Sequence, residues 1–307
     1  MEILNRGYES MKVLECIPNI SEGRDKTKIE EILEALKPYG QVKCLDVSSD
    51  RDHNRSVITL LGPADEVPRA MLALALAAID RIDMRDHQGS HPRMGAVDVV
   101  PFVPVRGMEM DEAVEIAHRF GRELGEKAKI PIYFYEAAAL REERRNLADV
   151  RRGQYEGLPE KLERPDGKPD AGVPDFNPKA GATIVGARPP LIAFNVNLRT
   201  TDKGIADAIA RAVRHKTGGY KAVKAMGVVL EDKAMVQVSM NLVNFRETPI
   251  HRVVETIRFE AARYGVSIAE CELIGLAPMA ALEEVIRFYL QIPDFSVDQI
   301  IESHLLP

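Results

Sequence analysis

Twice along this chain the apolar residues spell the same order of elements, and that repeat restricts the fold more than any other feature of the sequence. Residues 12–17 form a short β-prone run. Residues 26–37 carry Ile29, Ile32, Leu33 and Leu36 at helical spacing. Residues 42–47 and 56–61 read as strands around the polar segment SSDRDHNR, 65–82 as an Ala/Leu-rich helix and 97–103 as a buried strand. The second half repeats this as strand 191–198, helix 205–214, strands 222–230 and 235–242, helix 249–264 and strand 272–276. Both halves are βαββαβ, which predicts an α+β fold of two ferredoxin-like subdomains with mostly antiparallel sheets. The order of elements repeats but the residues do not. A doubly wound fold would need regular β-α alternation and a Gly-rich turn after the first strand, where NISEGRDK has one glycine.

Between the repeats, residues 111–129 predict a helix, 132–135 a strand and the charged stretch to 152 a further helix. From 153 to 181 the periodicity is lost and Gly, Pro and Asp are frequent, which predicts a long loop of the kind that often binds ligands. The expected domains are therefore 1–180 and 181–307.

With 307 residues, 45% of them hydrophobic and 29% charged, the chain can bury a full core. A net charge of −6 without a basic stripe argues against nucleic acid as a partner. No run approaches the roughly 20 apolar residues of a membrane helix, and MEILNRGYESM lacks the core of a secretion signal, so a cytoplasmic protein without membrane contact is expected. Cys16, Cys44 and Cys271 are far apart and never spaced C-x-x-C, which predicts reduced core thiols.

Chemistry concentrates in HQGSHPRMGAVDVVPF, residues 87–102. His87 and His91 are four apart, as in a helical zinc site, but Gly89 and Pro92 break the helix that would align them, so no metal is expected. His91 on a turn before a buried strand can act as a general acid/base, with Arg93 holding an anionic group; both can equally be ordinary loop residues. Ser48 to Arg55 forms a second polar cluster, and CIPNISEG, residues 16–23, can cap a helix or hold a carboxylate. A third stretch, AGVPDFNPKAGATIVGARPPLIAFNVNL, residues 171–198, has glycines that admit a flat ligand and Lys179 and Arg188 for its charges, without a P-loop pattern.

ECIPNISEG, LDVSSDRDHNRSV, IDMRDHQGSHPRMGAVDVVPFVPVRG and AGATIVGARPPLIAFNVNL together resemble the glutamate formimidoyltransferase family, the transferase part of formimidoyltransferase-cyclodeaminase, from about Val13 to about Leu290. The resemblance implies transfer of the formimino group of N-formimino-L-glutamate to N5 of tetrahydrofolate in histidine degradation. It places the catalytic base at His91 in the 1–180 subdomain. The folate-binding stretch falls on Gly172, Val173, Pro174, Asp175, Phe176, Asn177, Pro178, Lys179, Ala180 and Gly181. It also implies a ligand tunnel between two subdomains, a homodimer, and folate taken with or without a polyglutamate tail. The cyclodeaminase reaction is expected of a separate protein, since the chain ends at Pro307. Ser48 stands where vertebrate members carry an acid, so Asp50 or Asp52 is expected to substitute. The substrates' carboxylates call for local cations: Arg93, Arg188, Arg55 and Lys179, in that order. Rival readings are an N-formylglutamate-using formyltransferase, a non-catalytic folate-binding protein, and a metal-dependent hydrolase built on His53, His87 and His91.

Overall fold

The computed structural model describes residues 12–305; the opening segment read for a secretion signal, residues 1–11, lies outside them. The chain separates into two compact units, Met1–Arg188 and Pro189–Pro307.

In the first unit, strands β1 (Val13–Cys16) and β2 (Asn19–Ile20) lead to helix α1 (Lys26–Leu33), which Asp25 caps by accepting the Lys28 N–H at 3.1 Å. Helix α1 stops at Leu33 and passes into a 3-10 turn, Glu34–Leu36, short of the expected end at 37. The hairpin of β3 (Lys43–Asp50) and β4 (Arg55–Pro63) is longer than its apolar residues foretell, because the polar Ser48, Ser49 and Asp50 pair with Val57, Ser56 and Arg55. Helix α2 (Val67–Arg81) buries Val67, Ala70, Met71, Leu74, Ala75 and Ala78 at helical spacing. It is followed by β5 (Val97–Arg106), α3 (Met110–Ala128) and β6 (Pro131–Glu136).

The charged stretch before 152 is not a long helix. It holds a 3-10 turn at Glu142–Arg144 and the one-turn α4 (Leu147–Val150). Nor is 153–181 structureless. Helix α5 (Leu158–Glu163) buries Leu158 and Leu162 in a cluster with Tyr133 and Tyr135, and β7 (Ala171–Gly172) pairs with β6. Strand β8 (Thr183–Ala187) completes an eight-stranded sheet of order β1-β4-β2-β5-β8-β6-β7, with β3 on β4.

Strand β8 lies between β5 and β6 and runs parallel to both, which sets a parallel segment in a sheet whose other pairings are antiparallel, as expected of most of it. The reason is the α3 crossover, which returns β6 in the same direction as β5 and leaves a slot for β8. The boundary expected at 180/181 precedes β8, which the sheet keeps in the first unit.

The second unit is β9 (Ile192–Leu198), α6 (Lys203–Val213), β10 (Val223–Leu230), β11 (Met235–Leu242), α7 (Ile250–Arg263) and β12 (Ile268–Ile274), followed by α8 (Met279–Leu290). Its sheet order is β10-β11-β9-β12, with every pairing antiparallel. Ile209 and Val213 of α6 and Val253 and Ile257 of α7 form the core with Val196, Val236 and Val238. Helix α8 was not anticipated; its apolar residues are largely exposed and only Ala281 is buried.

No helix among the described residues is long and apolar enough to cross a membrane. Of the cysteines expected in the core, Cys16 is buried while Cys44 and Cys271 are exposed.

Candidate active site

Two polar loops of the first unit are stitched together by backbone contacts. Asn54 Nδ2 donates to Gln88 O at 3.1 Å, the Ser90 N–H donates to Asp52 O at 3.1 Å, and His87 Nε2 donates to Asn54 O at 2.8 Å. The approach requires glycine at 89, where a Cβ would lie 2.1 Å from His53 O. The seam brings the His53 and His91 rings edge to face, with centroids 5.5 Å apart and planes at 64°.

His91 sits between α2 and β5, where Pro92 keeps the chain extended. Its Nδ1 is 2.7 Å from Pro92 O. A carbonyl oxygen only accepts, so Nδ1 carries the proton and Nε2 is left with a free lone pair. The ring is half-buried, and burial first, then Arg55 and Arg151, lower its pKa from 6.5 to about 4. Asp98 opposes this shift without cancelling it. The resting ring is therefore a neutral base at neutral pH.

The charges around it form a compact set. Arg151, just past α4, pairs with Asp98 near the start of β5; the two side chains are 12% and 1% exposed. Asp98 also accepts the Met94 N–H at 2.9 Å. Arg55, first residue of β4, donates to Asn19 Oδ1, and burial pushes its pKa down. The Nε atoms of Arg55 and of Arg151 are buried without a hydrogen-bond partner among the described residues. Two unmatched guanidinium N–H groups beside a neutral imidazole suit an anionic or strongly accepting ligand. Arg188 contributes a side-chain hydrogen bond to Tyr135, whose pKa burial raises to about 12 and which also feels Arg151. Arg188 thus lies one side chain from the set.

Arg93, first among the expected substrate cations, is engaged elsewhere. It is buried, its Nη1 and Nη2 meet Glu156 Oε2 and Oε1 at 2.8 and 2.6 Å, and its Nε donates to His87 Nδ1 at 3.2 Å. His87, held at both ring nitrogens and lowered in pKa chiefly by burial, braces the loop. Lys179 Nζ donates to Asp80 O at 2.6 Å, near the end of α2. Asp50 lies at the end of β3; its Oδ1 accepts the His53 N–H at 2.8 Å, which lowers its pKa, and its Oδ2 is 3.3 Å from His53 Nδ1. Asp52 enters the seam through its backbone, its carbonyl accepting the Ser90 N–H.

The stretch Gly172–Gly181 joins the segment just after His91. The Ala96 N–H donates to Ala180 O at 2.8 Å and the Ala182 N–H to Met94 O at 3.0 Å. Gly181 has φ +70, and a Cβ there would lie 2.3 Å from Met94 O. Asn177 Oδ1 accepts the N–H groups of Lys179 and Ala180, Tyr155 donates to Pro178 O at 2.5 Å, and the rings of Phe176 and Tyr155 lie 5.6 Å apart.

Sequence reasoning missed Arg151, Asp98 and the ring contact between His53 and His91. Asp98 had a visible signal: a carboxylate inside the apolar run AVDVVPF must find a cation when buried. Among the described residues no three His, Cys, Asp or Glu side chains gather as a metal site would require.

A family model described as "Formiminotransferase domain, N-terminal subdomain" matches residues 13–188, and one described as "Formiminotransferase domain" matches 193–304. A relative from Streptococcus pyogenes serotype M1 named glutamate formimidoyltransferase is 51% identical over 300 residues, covering 96% of this chain and 99% of that one. Another of that name from Thermoplasma acidophilum is 47% identical over 96% of this chain and 98% of its own length. Formimidoyltransferase-cyclodeaminase from Gallus gallus is 42% identical over 91% of this chain, which matches 53% of that longer protein. With both family models filling the chain and near-full-length relatives at about half identity, this protein belongs to the formiminotransferase family.

Proposed function

We propose that this protein is a glutamate formimidoyltransferase that moves the formimino group of N-formimino-L-glutamate to N5 of tetrahydrofolate, with His91 as general acid/base. The observation that carries this reading is the state of His91, a neutral ring whose Nδ1–H is tied to Pro92 and whose Nε2 is free beside Arg55 and Arg151. The N5 amine loses a proton as it attacks the formimino carbon, and the glutamate nitrogen gains one as it leaves; Nε2 can accept the first and return the second. Tetrahydrofolate enters as co-substrate, along Gly172–Gly181, and no metal takes part.

Within this reading Arg55, Arg151 and Arg188 receive the carboxylates of the substrates, and Arg93 shapes the loop from its pairing with Glu156. Ferredoxin-like lobes, a ligand tunnel, a homodimer, a cytoplasmic setting and a separate cyclodeaminase partner complete it. The alternating order of β10-β11-β9-β12 supports the lobe assignment for the second unit.

The test is turnover of N-formimino-L-glutamate with tetrahydrofolate, read as the 5-formimino product, beside N-formylglutamate as donor. Product from the formimino donor that disappears in His91→Ala, with folate affinity retained, supports the reading. Preference for the formyl donor, or folate binding without turnover, overturns it.

A further inference from the structure

We propose that Asp50 and His53 form a proton relay serving His91, in which Asp50 orients the His53 ring and His53 exchanges a proton with His91. This rests on the reading of His91 as the acid/base group.

Asp50 grips His53 twice, taking its backbone N–H at 2.8 Å with one oxygen and facing Nδ1 at 3.3 Å with the other. A carboxylate only accepts, so Asp50 favours a proton at the His53 Nδ1 that faces it and leaves Nε2 as the exchanging nitrogen. His91 has the same assignment, imposed by Pro92 O. The two imidazoles lie edge to face with centroids 5.5 Å apart. Among the described residues no direct hydrogen bond joins the rings, and that spacing leaves room for transfer through one bridging water.

The surroundings give the exchange a direction. A proton on His91 faces Arg55 and Arg151, which repel it, with Asp98 already paired to Arg151. A proton on His53 faces the Asp50 carboxylate, and this side chain is 46% exposed. The seam between the loops, with the Ser90 N–H on Asp52 O and Gly89 against His53 O, holds the separation.

The chemistry balances without an outside reactant. The N5–C bond forms as N5 gives its proton to His91 Nε2, and the relay parks that proton on His53 while the tetrahedral intermediate persists. When the bond from carbon to the glutamate nitrogen breaks, its electron pair stays on nitrogen. The proton then returns through His91 to that nitrogen. His53 is a positioning residue for the proton and need not touch either substrate.

Three variants and one spectrum test the relay. His53→Gln should lower kcat about 100-fold, with both KM values within twofold and the thermal midpoint unchanged. Asp50→Asn should lower kcat less, and millimolar imidazole should restore turnover to His53→Gly, since the position is open to solvent. Wild-type kcat in His53→Gln, or a loss that imidazole does not restore, overturns the relay while leaving the activity standing. Independently of turnover, ring ¹⁵N titrations should show coupled His53 and His91, with the His91 midpoint moving in His53→Gln; two independent titrations overturn the pairing. Absence of formimino transfer by the wild-type protein would instead refute the proposed activity, with the ring titration still deciding the relay.

Discussion

His91 Nδ1 and Pro92 O lie 2.7 Å apart, which fixes the tautomer of the ring by a neighbour that side-chain substitution cannot remove. Because the carbonyl belongs to the next residue, the ring is oriented before any substrate arrives. The tautomer of the ring is thus set by the turn itself.

A pH profile follows from the state of this ring. Its pKa is lowered from 6.5 to about 4, so in His53→Gln, which lacks the second imidazole, kcat/KM should stay level as pH falls through 6.5 and drop only toward about 4. An acidic limb near 6.5 would contradict the desolvated, cation-flanked ring. The native ring binds fewer protons than the unfolded one between these values, so its contribution to stability is full above 6.5 and lost as pH falls toward 4. Denaturation of wild type and His91→Gln at several pH values reads this slope, which the variant should lack.

The Asp98 and Arg151 pair is nearly solvent-free, so removing one partner strands a buried charge. Asp98→Asn or Arg151→Met should cost about 3–5 kcal/mol. The double variant should cost far less than the two combined, a coupling that urea unfolding measures. Arg151→Met should also raise the KM of the carboxylate-bearing donor about tenfold or more.

Arg93 gives a contrasting outcome. Its two Nη atoms are held by Glu156 and its Nε by His87, so Arg93→Met should lower stability by about 2 kcal/mol. The KM for formiminoglutamate should stay within twofold in steady-state assays. A tenfold rise would return Arg93 to the substrate-binding cations.

Gly181 and Gly218 share positive φ, at +70 and +92, but only Gly181 has backbone where a Cβ would go. Gly218→Ala should cost about 1–2 kcal/mol, from backbone conformation alone. Gly181→Ala should cost more than that and raise the folate KM, because Met94 O must move and the Gly172–Gly181 stretch with it. Equal losses in both variants by thermal unfolding would show that the seam to Met94 has slack.

The long periodic elements were legible: α2, α3, α6, α7 and the strands β9 and β11 lie within about two residues of where apolar spacing puts them. The strands that hide are short or glycine-rich. Ala171–Gly172 and Thr183–Ala187 owe their extended form to neighbours already in the sheet, which no local pattern records. Within the candidate site, the turn that carries His91 was legible from Pro92 and the buried strand that follows it. Arg151 was not, because only the fold shows that a residue in a charged stretch meets a carboxylate 53 positions earlier. Nor does anything nearby in sequence announce Glu156, the carboxylate that Arg93 meets.

Strand β8 occupies the slot between β5 and β6, although the chain makes it last of the three. During synthesis the sheet of the first unit therefore waits, gapped, through the whole 137–182 excursion. A fragment cut at residue 180 would keep His91 yet leave two raw backbone edges facing an empty lane, inviting strands from other molecules to fill it. Anyone dissecting this protein into halves should cut after Arg188, where the lane is already filled.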